Sequence, residues 1–304
     1  MNTNKPNIFD VIVIGGGPGG LSSGLYASRQ GLSTLLIEAS LLTGGQMLNT
    51  ETIDNYIGSK SQNAIELSEH MFNDAIKYGL EVVSGEKVML LSKVGSLFKI
   101  NTDKEIYHSY SVIVATGTKH RTITDKDING VSYCAVCDAP FYSGLDVAVI
   151  GGGQSAVESA LLLSELANSV TLIHRRGKLR NEYDKQLLYG RKNINFYWNN
   201  QVKDIKENGK KIDLSISDNI TLSFDGVFPC IGQDVDVSFI QDNLVELSPS
   251  NKIRVNGLQR TFTDGLYAVG DVVEFPFNQV AIAVSQGAIA ALDIYHFLKY
   301  VRTT

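Results

Sequence analysis

Continuous apolar runs, more than alternating ones, dominate the hydrophobic pattern of this chain. FDVIVI at 9–14, STLLIEA at 33–39, SVIVATGT at 111–118, LDVAVI at 145–150, SVTLIHRR at 169–176 and GVFPCIGQ at 226–233 are short and rich in β-branched residues. Such runs predict strands buried on both faces, as in a parallel sheet. After Ile14 and after Ile150 the apolar residues change to helical spacing, at Leu21, Leu25 and Ala27 and at Val157, Leu161 and Leu162. Two alternating segments, LEVVSGEKVMLL (80–91) and INFYWNNQVKDI (194–205), read as small β-meanders. A last run, LQRTFTDGLYAVGD (258–271), ends in one more small-residue strand. Strands that alternate with helices predict an α/β chain.

The chain contains a repeat. Its first strand runs into Gly15-x-Gly17-Pro18-Gly19-Gly20, and LDVAVI runs into Gly151-x-Gly153-Gln154-Ser155-Ala156. A glycine triplet alone is a weak signal. Strand, glycine turn and helix in succession, twice, is the dinucleotide-binding pattern. The first glycine makes the turn, the second lets a pyrophosphate approach the backbone, and the third lets helix pack on strand. The pyrophosphate then meets the N–H groups of a helix N-terminus.

The two copies continue in parallel to a second strand, which ends at Glu38 and Ala39 in one and at His174, Arg175 and Arg176 in the other. An acid at this position accepts from ribose hydroxyls and repels a 2′-phosphate. The first copy therefore calls for an unphosphorylated adenosine, as in FAD or NAD. His174, Arg175, Arg176 and the following Arg180 suit the 2′-phosphate of NADP, since guanidinium forks bind phosphate oxygens. Each copy closes on a small-residue strand end, Ala115-Thr116-Gly117 in one and Ile231-Gly232 in the other. The copies are offset by 136 positions at the loops (15 to 151) but by 115 at the closing glycines (117 to 232). The first copy thus carries an insertion of about 21 residues, placed within 40–75. It contains Gly44, Gly45, Gln46 and Asn55, candidates for holding a flavin ring. Lys87 is a further cofactor-facing candidate.

No third glycine-rich loop follows Gly270-Asp271. The simplest topology returns the chain to its first domain, so the second nucleotide domain is inserted in the first. The expected division is 1–116 and 245–304 for an FAD-binding domain and 117–244 for the insert. Asp271 is placed to accept from a ribitol hydroxyl. A helix starting near Gln279 and Val280 would aim its N-terminal N–H groups at the flavin's pyrimidine edge.

Composition narrows the class. The 304 residues include 43% hydrophobic and 19% charged, which suits packed cores. A net charge of −5 argues against a nucleic-acid or anionic-membrane surface. The N-terminal residues show no basic-then-apolar signal sequence. Phe275 to Leu292 lacks charge but carries Pro276, Asn278, Gln279, Ser285, Gln286 and Gly287, so it reads as a turn and a packed helix. A soluble, cytosolic protein is expected. Three cysteines cannot make a disulfide framework.

Two of them form Cys134-Ala135-Val136-Cys137, followed by Asp138, between the two copies. Zinc needs four ligands, but Cys230 ends a buried strand and His108 and His120 show no ligand spacing, so no metal is expected. Beside two dinucleotide loops the motif reads as a redox pair, with Asp138 as proton donor and acceptor or as a helix cap.

In order, GGGPGG, GGQM, IDNYIG, ATGT, YCAVCD, GGGQSA, HRRGKLR and GLYAVGD resemble the low-molecular-weight thioredoxin reductases over nearly the whole chain. The resemblance implies two Rossmann-like three-layer ββα domains, the NADPH domain inserted within the FAD domain. It implies FAD, NADPH, a homodimer, a thioredoxin or thioredoxin-like partner, and a swivel between domains, for which the short joining segments near 115–120 and 240–248 are the expected hinges. It also implies that Cys137 faces the flavin, that Cys134 attacks the partner disulfide, and that Asp138 handles protons. Gly45, Gln46 and Asn55, with Gln279 and Val280, match the family's flavin-holding positions.

Three positions differ from the family pattern: Ala139-Pro140 follows the acid, Gln154 follows the second triplet, and Asn278 stands where arginine is usual. Pro140 and Asn278 lean towards the flavoprotein subunit of alkyl hydroperoxide reductase, hence a peroxiredoxin-linked or other carrier as alternative. The other rivals are a dithiol oxidase of the same fold, which would not need the arginines, a redox-sensing or binding module that holds flavin without turnover, and a ferredoxin-fed variant, which the same arginines weaken.

Overall fold

The structure, a computed structural model, describes residues 8–50, 52–59, 63–124, 128–179, 185–217 and 220–303. The chain forms two compact units. Unit 1 comprises residues 1–119 and 235–304, and unit 2 comprises residues 120–234.

Unit 1 begins with β1 (Ile8–Ile14), α1 (Pro18–Arg29), β2 (Thr34–Glu38), α2 (Ala64–Ile76) and β3 (Glu81–Ser84). β4 (Val88–Val94), β5 (Leu97–Thr102) and β6 (Ile106–Val114) follow. Unit 2 then supplies β7 (Lys119–His120), α3 (Ala135–Asp138), β8 (Asp146–Ile150), α4 (Gln154–Leu166) and β9 (Ser169–His174). It continues with α5 (Lys185–Gly190), β10 (Ile194–Trp198), β11 (Val202–Asn208), β12 (Lys211–Ile216), β13 (Thr221–Phe224), β14 (Gly226–Pro229) and β15 (Gln233–Asp234). The chain returns to unit 1 with β16 (Leu266–Ala268) and α6 (Val280–Thr303).

The sheet of unit 1 has the order β3-β2-β1-β6-β5-β4, and β16 joins it beside β6. β6 has two jobs. Its first half pairs antiparallel with β5, and its last residues, Val112–Val114, pair parallel with β16. β1 shows why its run is continuous: Ile12 and Ile14 pack in one core layer, Val11 and Val13 in the other, all four buried.

α1 buries a face of small residues, Gly19, Gly20, Ser22, Ser23 and Ala27. That face lies against α6, where the Ser22 hydroxyl donates to the Val284 carbonyl (2.7 Å). A Cβ added at Gly287 would sit 3.0 Å from Ser22 Cβ and from Ser23 N, and closer still to the Gly19 carbonyl. Glycine is therefore required at this crossing. α6 is long and apolar enough to cross a membrane by composition, and its residues Ala290, Ala291, Ile294 and Leu298 are buried in unit 1.

Unit 2 repeats the design with a parallel sheet of order β10-β9-β8-β14 and a meander β11-β12-β13. The two strands by which the chain enters and leaves, β7 and β15, pair with each other. There the Arg121 N–H donates to the Gly232 carbonyl (3.1 Å), and the Arg121 guanidinium bonds the Asp234 carboxylate (2.6 and 2.8 Å).

Three expectations need correction. Residues 235–244, expected in the inserted domain, pack in unit 1, with Phe239, Ile240 and Leu244 buried against Phe98 and Ile253. The second crossing between units thus falls at 234–235, and not at 240–248. LEVVSGEKVMLL and INFYWNNQVKDI are not meander segments throughout. Each starts with the outermost parallel strand, β3 or β10, and only then enters the meander at β4 or β11. An edge strand is covered unevenly, so its sequence alternates as an antiparallel strand's does.

Candidate active site: two glycine loops and a disulfide

In unit 1, β1 ends in a loop that only glycines can form. Gly15 has φ +107°, its N–H donates to the Ile37 carbonyl (2.8 Å), and Ala115 N–H donates to Ile14 (2.8 Å). Gly17 caps α1 with Pro18 in its first turn, and the Gly20 Cα lies against the Gly15 carbonyl, leaving no space for a side chain. From β2, Glu38 reaches back: Oε2 accepts from Gly16 N–H (2.6 Å) and Oε1 from Ser40 N–H (2.7 Å), with Ala39 exposed between.

The insertion folds onto this loop. The Gly44 N–H donates to the Gly16 carbonyl (2.8 Å), and a Cβ on Gly45 would lie 3.2 Å from Gly17 Cα. Glycine packs on glycine there, while a Cβ on Gly17 would meet nothing nearer than Gly45 Cα at 4.0 Å, so the start of α1 stays open to a pyrophosphate. Gln46 then joins distant segments, donating to Thr118 Oγ1 (2.9 Å) and to Asp271 Oδ2 (3.2 Å). Asn55 donates to Gln279 Oε1 (3.2 Å). The Gly270 N–H donates to Gln286 Oε1 (2.7 Å). Burial pushes the Asp271 carboxyl above its ordinary range, and the Lys252 charge pulls it back. The end of β16, the start of α6 and the start of α1 converge, since Gly19 faces Val269 and Ala283. Thr116 is exposed and Gly117 (φ +65°) borders open space at the end of β6. Lys87 is exposed in the loop after β3, its backbone paired with Asp103.

Unit 2 reproduces the first loop bond for bond. Gly151 N–H donates to Ile173 (3.0 Å) and Cys230 N–H to Ile150 (2.7 Å), which makes Cys230 the counterpart of Ala115. Gly153 caps α4; Gln154 and Ser155 are exposed on its first turn and Ala156 is buried. His174 takes the place that Glu38 has in unit 1, over the middle glycine: a Cβ on Gly152 would meet its imidazole ring. His174 is itself buried, edge-on to Trp198 (6.3 Å). Arg175 and Arg176 are exposed beside it, and Arg180 lies outside the described residues. Burial raises the Cys230 thiol above its usual range, against a hydrogen bond to Ser159 (3.5 Å). It is a core thiol.

The cysteine pair belongs to unit 2. Cys134 and Cys137 are joined as a disulfide, with Cα atoms 5.3 Å apart. Cys134 caps α3, and Cys137 N–H donates to Cys134 Sγ (3.2 Å). Ala135 and Ala139 anchor the motif in the core beside Val157 of α4. Asp138 and both cysteines are half-buried, whereas Val136 (67%) and Phe141 (59%) stand exposed around them. Burial first, then the Asp138 charge, raises the nearby Tyr142 hydroxyl.

Thr118, Lys252 and Gln286 escaped the sequence reading. Only Gln286, a buried amide in a small-residue helix, carried a readable signal.

Comparison with known proteins agrees with this arrangement. The pyridine nucleotide-disulphide oxidoreductase family model matches residues 9–287. The thioredoxin reductase of Bacillus subtilis is 37% identical over 314 residues, 99% of this chain and 98% of its own. The bifunctional thioredoxin reductase/thioredoxin of Mycobacterium leprae is 34% identical over 98% of this chain and 68% of its own. The crystal structure of thioredoxin reductase from Streptococcus pyogenes superposes with a TM-score of 0.89 at 33% identity, covering 97% of this chain and 100% of that one. With matches over nearly its whole length, the chain belongs to the pyridine nucleotide-disulphide oxidoreductase family and, within it, to the thioredoxin reductases.

Proposed function

We infer that the protein is an NADPH-dependent thioredoxin-disulfide reductase, with FAD in unit 1, NADPH in unit 2 and Cys134–Cys137 as the redox pair. The observation that carries the reading is the disulfide seated on the unit whose glycine loop duplicates that of unit 1. The residues of unit 1 suit FAD. The open backbone at Gly17, the cap of α1, leaves room for a pyrophosphate, and Glu38 suits an unphosphorylated ribose. Gln46, Asn55, Asp271, Gln279 and the N-terminus of α6 would hold the ribitol and the ring. In unit 2, Arg175 and Arg176, with Arg180, favour the 2′-phosphate of NADPH.

Bound flavin supplies the chemistry no side chain can, accepting a hydride from NADPH and passing an electron pair to a disulfide. The protein's residues do the rest. Opening the disulfide takes two electrons and two protons, and Asp138, beside Cys137, delivers and removes protons. The Cys134 thiolate then attacks the partner's disulfide, and Cys137 resolves the mixed disulfide, leaving the partner reduced and the pair oxidised again. Exposed Val136 and Phe141 give a partner an apolar footing beside the sulfurs. The partner is thioredoxin or a thioredoxin-like protein, and the enzyme acts as a cytoplasmic homodimer. Ala139-Pro140, in the turn directly after the motif (Ala139–Tyr142), favours a second reading, a peroxiredoxin-linked carrier as partner.

An anaerobic titration tests this. The purified protein is expected to be yellow, to bleach with NADPH at far lower concentration than with NADH, and to recolour on adding oxidised thioredoxin. A colourless protein that takes up no FAD, or bleached protein that thioredoxin leaves bleached, overturns it.

A further inference from the structure

The cluster around Asp271 contains one group that the reaction so far does not use. Lys252 comes from the segment between Leu247 and Ile253, which is tied by the Ile253–Val273 bridge to the residue that follows the Gly270–Val272 turn. Its ammonium points inward to Asn278 Oδ1 (3.4 Å), one residue before Gln279 and two before α6 begins. Among the described residues it makes no salt bridge, and the Asp271 and Glu274 carboxylates act on it through space. Burial lowers its affinity for a proton while these carboxylates raise it. A half-buried ammonium beside the start of a helix adds its charge to the helix's own positive end, so this corner of the cluster is cationic. At the same position the chain carries Asn278, where the family pattern has arginine.

We propose that Lys252 is the cation that serves the ring-holding cluster of unit 1, stabilising the negative charge that hydride transfer leaves on the flavin, in place of an arginine at 278. The inference rests on the flavin reading of unit 1. The charge balance is simple. A hydride brings two electrons and one proton, NADPH leaves as NADP⁺, and the ring system gains one negative charge. A cation at its pyrimidine end makes that gain more favourable, as does the N-terminus of α6, whereas Asp271 and Glu274 oppose it. Lys252 is thus a positioning charge that sets how readily the flavin is reduced.

The test is the two-electron reduction equilibrium of the FAD-loaded protein against a reference dye, measured for the parent and for three variants. Lys252→Met is expected to lower the equilibrium constant for reduction by roughly tenfold, as loss of one nearby charge at intermediate dielectric implies. Lys252→Arg retains the parent value. Asn278→Arg, with Lys252 intact, is expected to shift the equilibrium the other way, which keeps the test alive if Lys252→Met fails to fold. FAD content and melting temperature are followed in parallel. A lysine that merely holds the loop would change those and leave the equilibrium unmoved. If the variants bind FAD and all share the parent equilibrium, the proposal is overturned. If the parent binds no FAD, the flavin reading itself has failed, and the two failures are distinct.

Discussion

Cys134 and Cys137 differ by one hydrogen bond, and their chemistry should differ accordingly. The Cys137 N–H points at Cys134 Sγ (3.2 Å), a donor that steadies a thiolate at Cys134 and has no counterpart at Cys137 Sγ among the described residues. With Cys137 as the flavin-facing sulfur, Cys134→Ser should show long-wavelength charge-transfer absorbance and Cys137→Ser should not. Both should lose disulfide reductase activity and keep NADPH-driven flavin reduction. Absorbance in the other variant would assign the roles in reverse. Arg175 and Arg176 govern the second residue-scale expectation. Their joint replacement by alanine should reduce the NADPH-over-NADH preference in kcat/KM by roughly 10- to 100-fold, the effect of losing charge-assisted phosphate bonds. An unchanged ratio would place the 2′-phosphate elsewhere. These residues were legible because loop chemistry is local: Glu38 and His174 stand at fixed distances past their glycines. Lys252, Thr118 and Asp271 were not legible as a cluster, because folding brings them together from three distant segments.

At the scale of elements, the tightest joint is the crossing of α1 and α6. Gly287 brings the two backbones together where the Gly19 carbonyl leaves no room for a Cβ. Gly287→Val should destabilise the protein by about 1–3 kcal/mol through overpacking. It should also speed FAD loss, because α1 and α6 both start at the site. Calorimetry and flavin fluorescence would show it, and a variant with the parent's melting temperature would mean that the helices have slack. The strands buried on both faces were readable in the chain, since their apolar runs are short, rich in β-branched residues and closed by glycine turns. β3 and β10 were misread because an edge strand has the alternation of a meander. The place of 235–244 was missed for a related reason: its apolar residues, Phe239, Ile240 and Leu244, say that they are buried but not in which core.

For the whole molecule, the insertion was legible from a missing third glycine loop, while its limits, 120 and 234, depend on contacts that no spacing reveals. Unit 2 enters and leaves through two strands paired side by side, β7 and β15. Its ends are therefore adjacent, as those of an independent domain are. A fragment of residues 120–234 should fold alone with a cooperative thermal transition and bind NADP⁺, and a fragment without a transition would refute that autonomy. The same arrangement sets an order of birth on the ribosome. Everything unit 2 needs has been made once residue 234 emerges, whereas the sheet of unit 1 waits for β16, and α1 waits for α6 to cover its small-residue face. The first glycine loop to be translated is thus the last to be completed, and the nascent chain finishes unit 2 before unit 1.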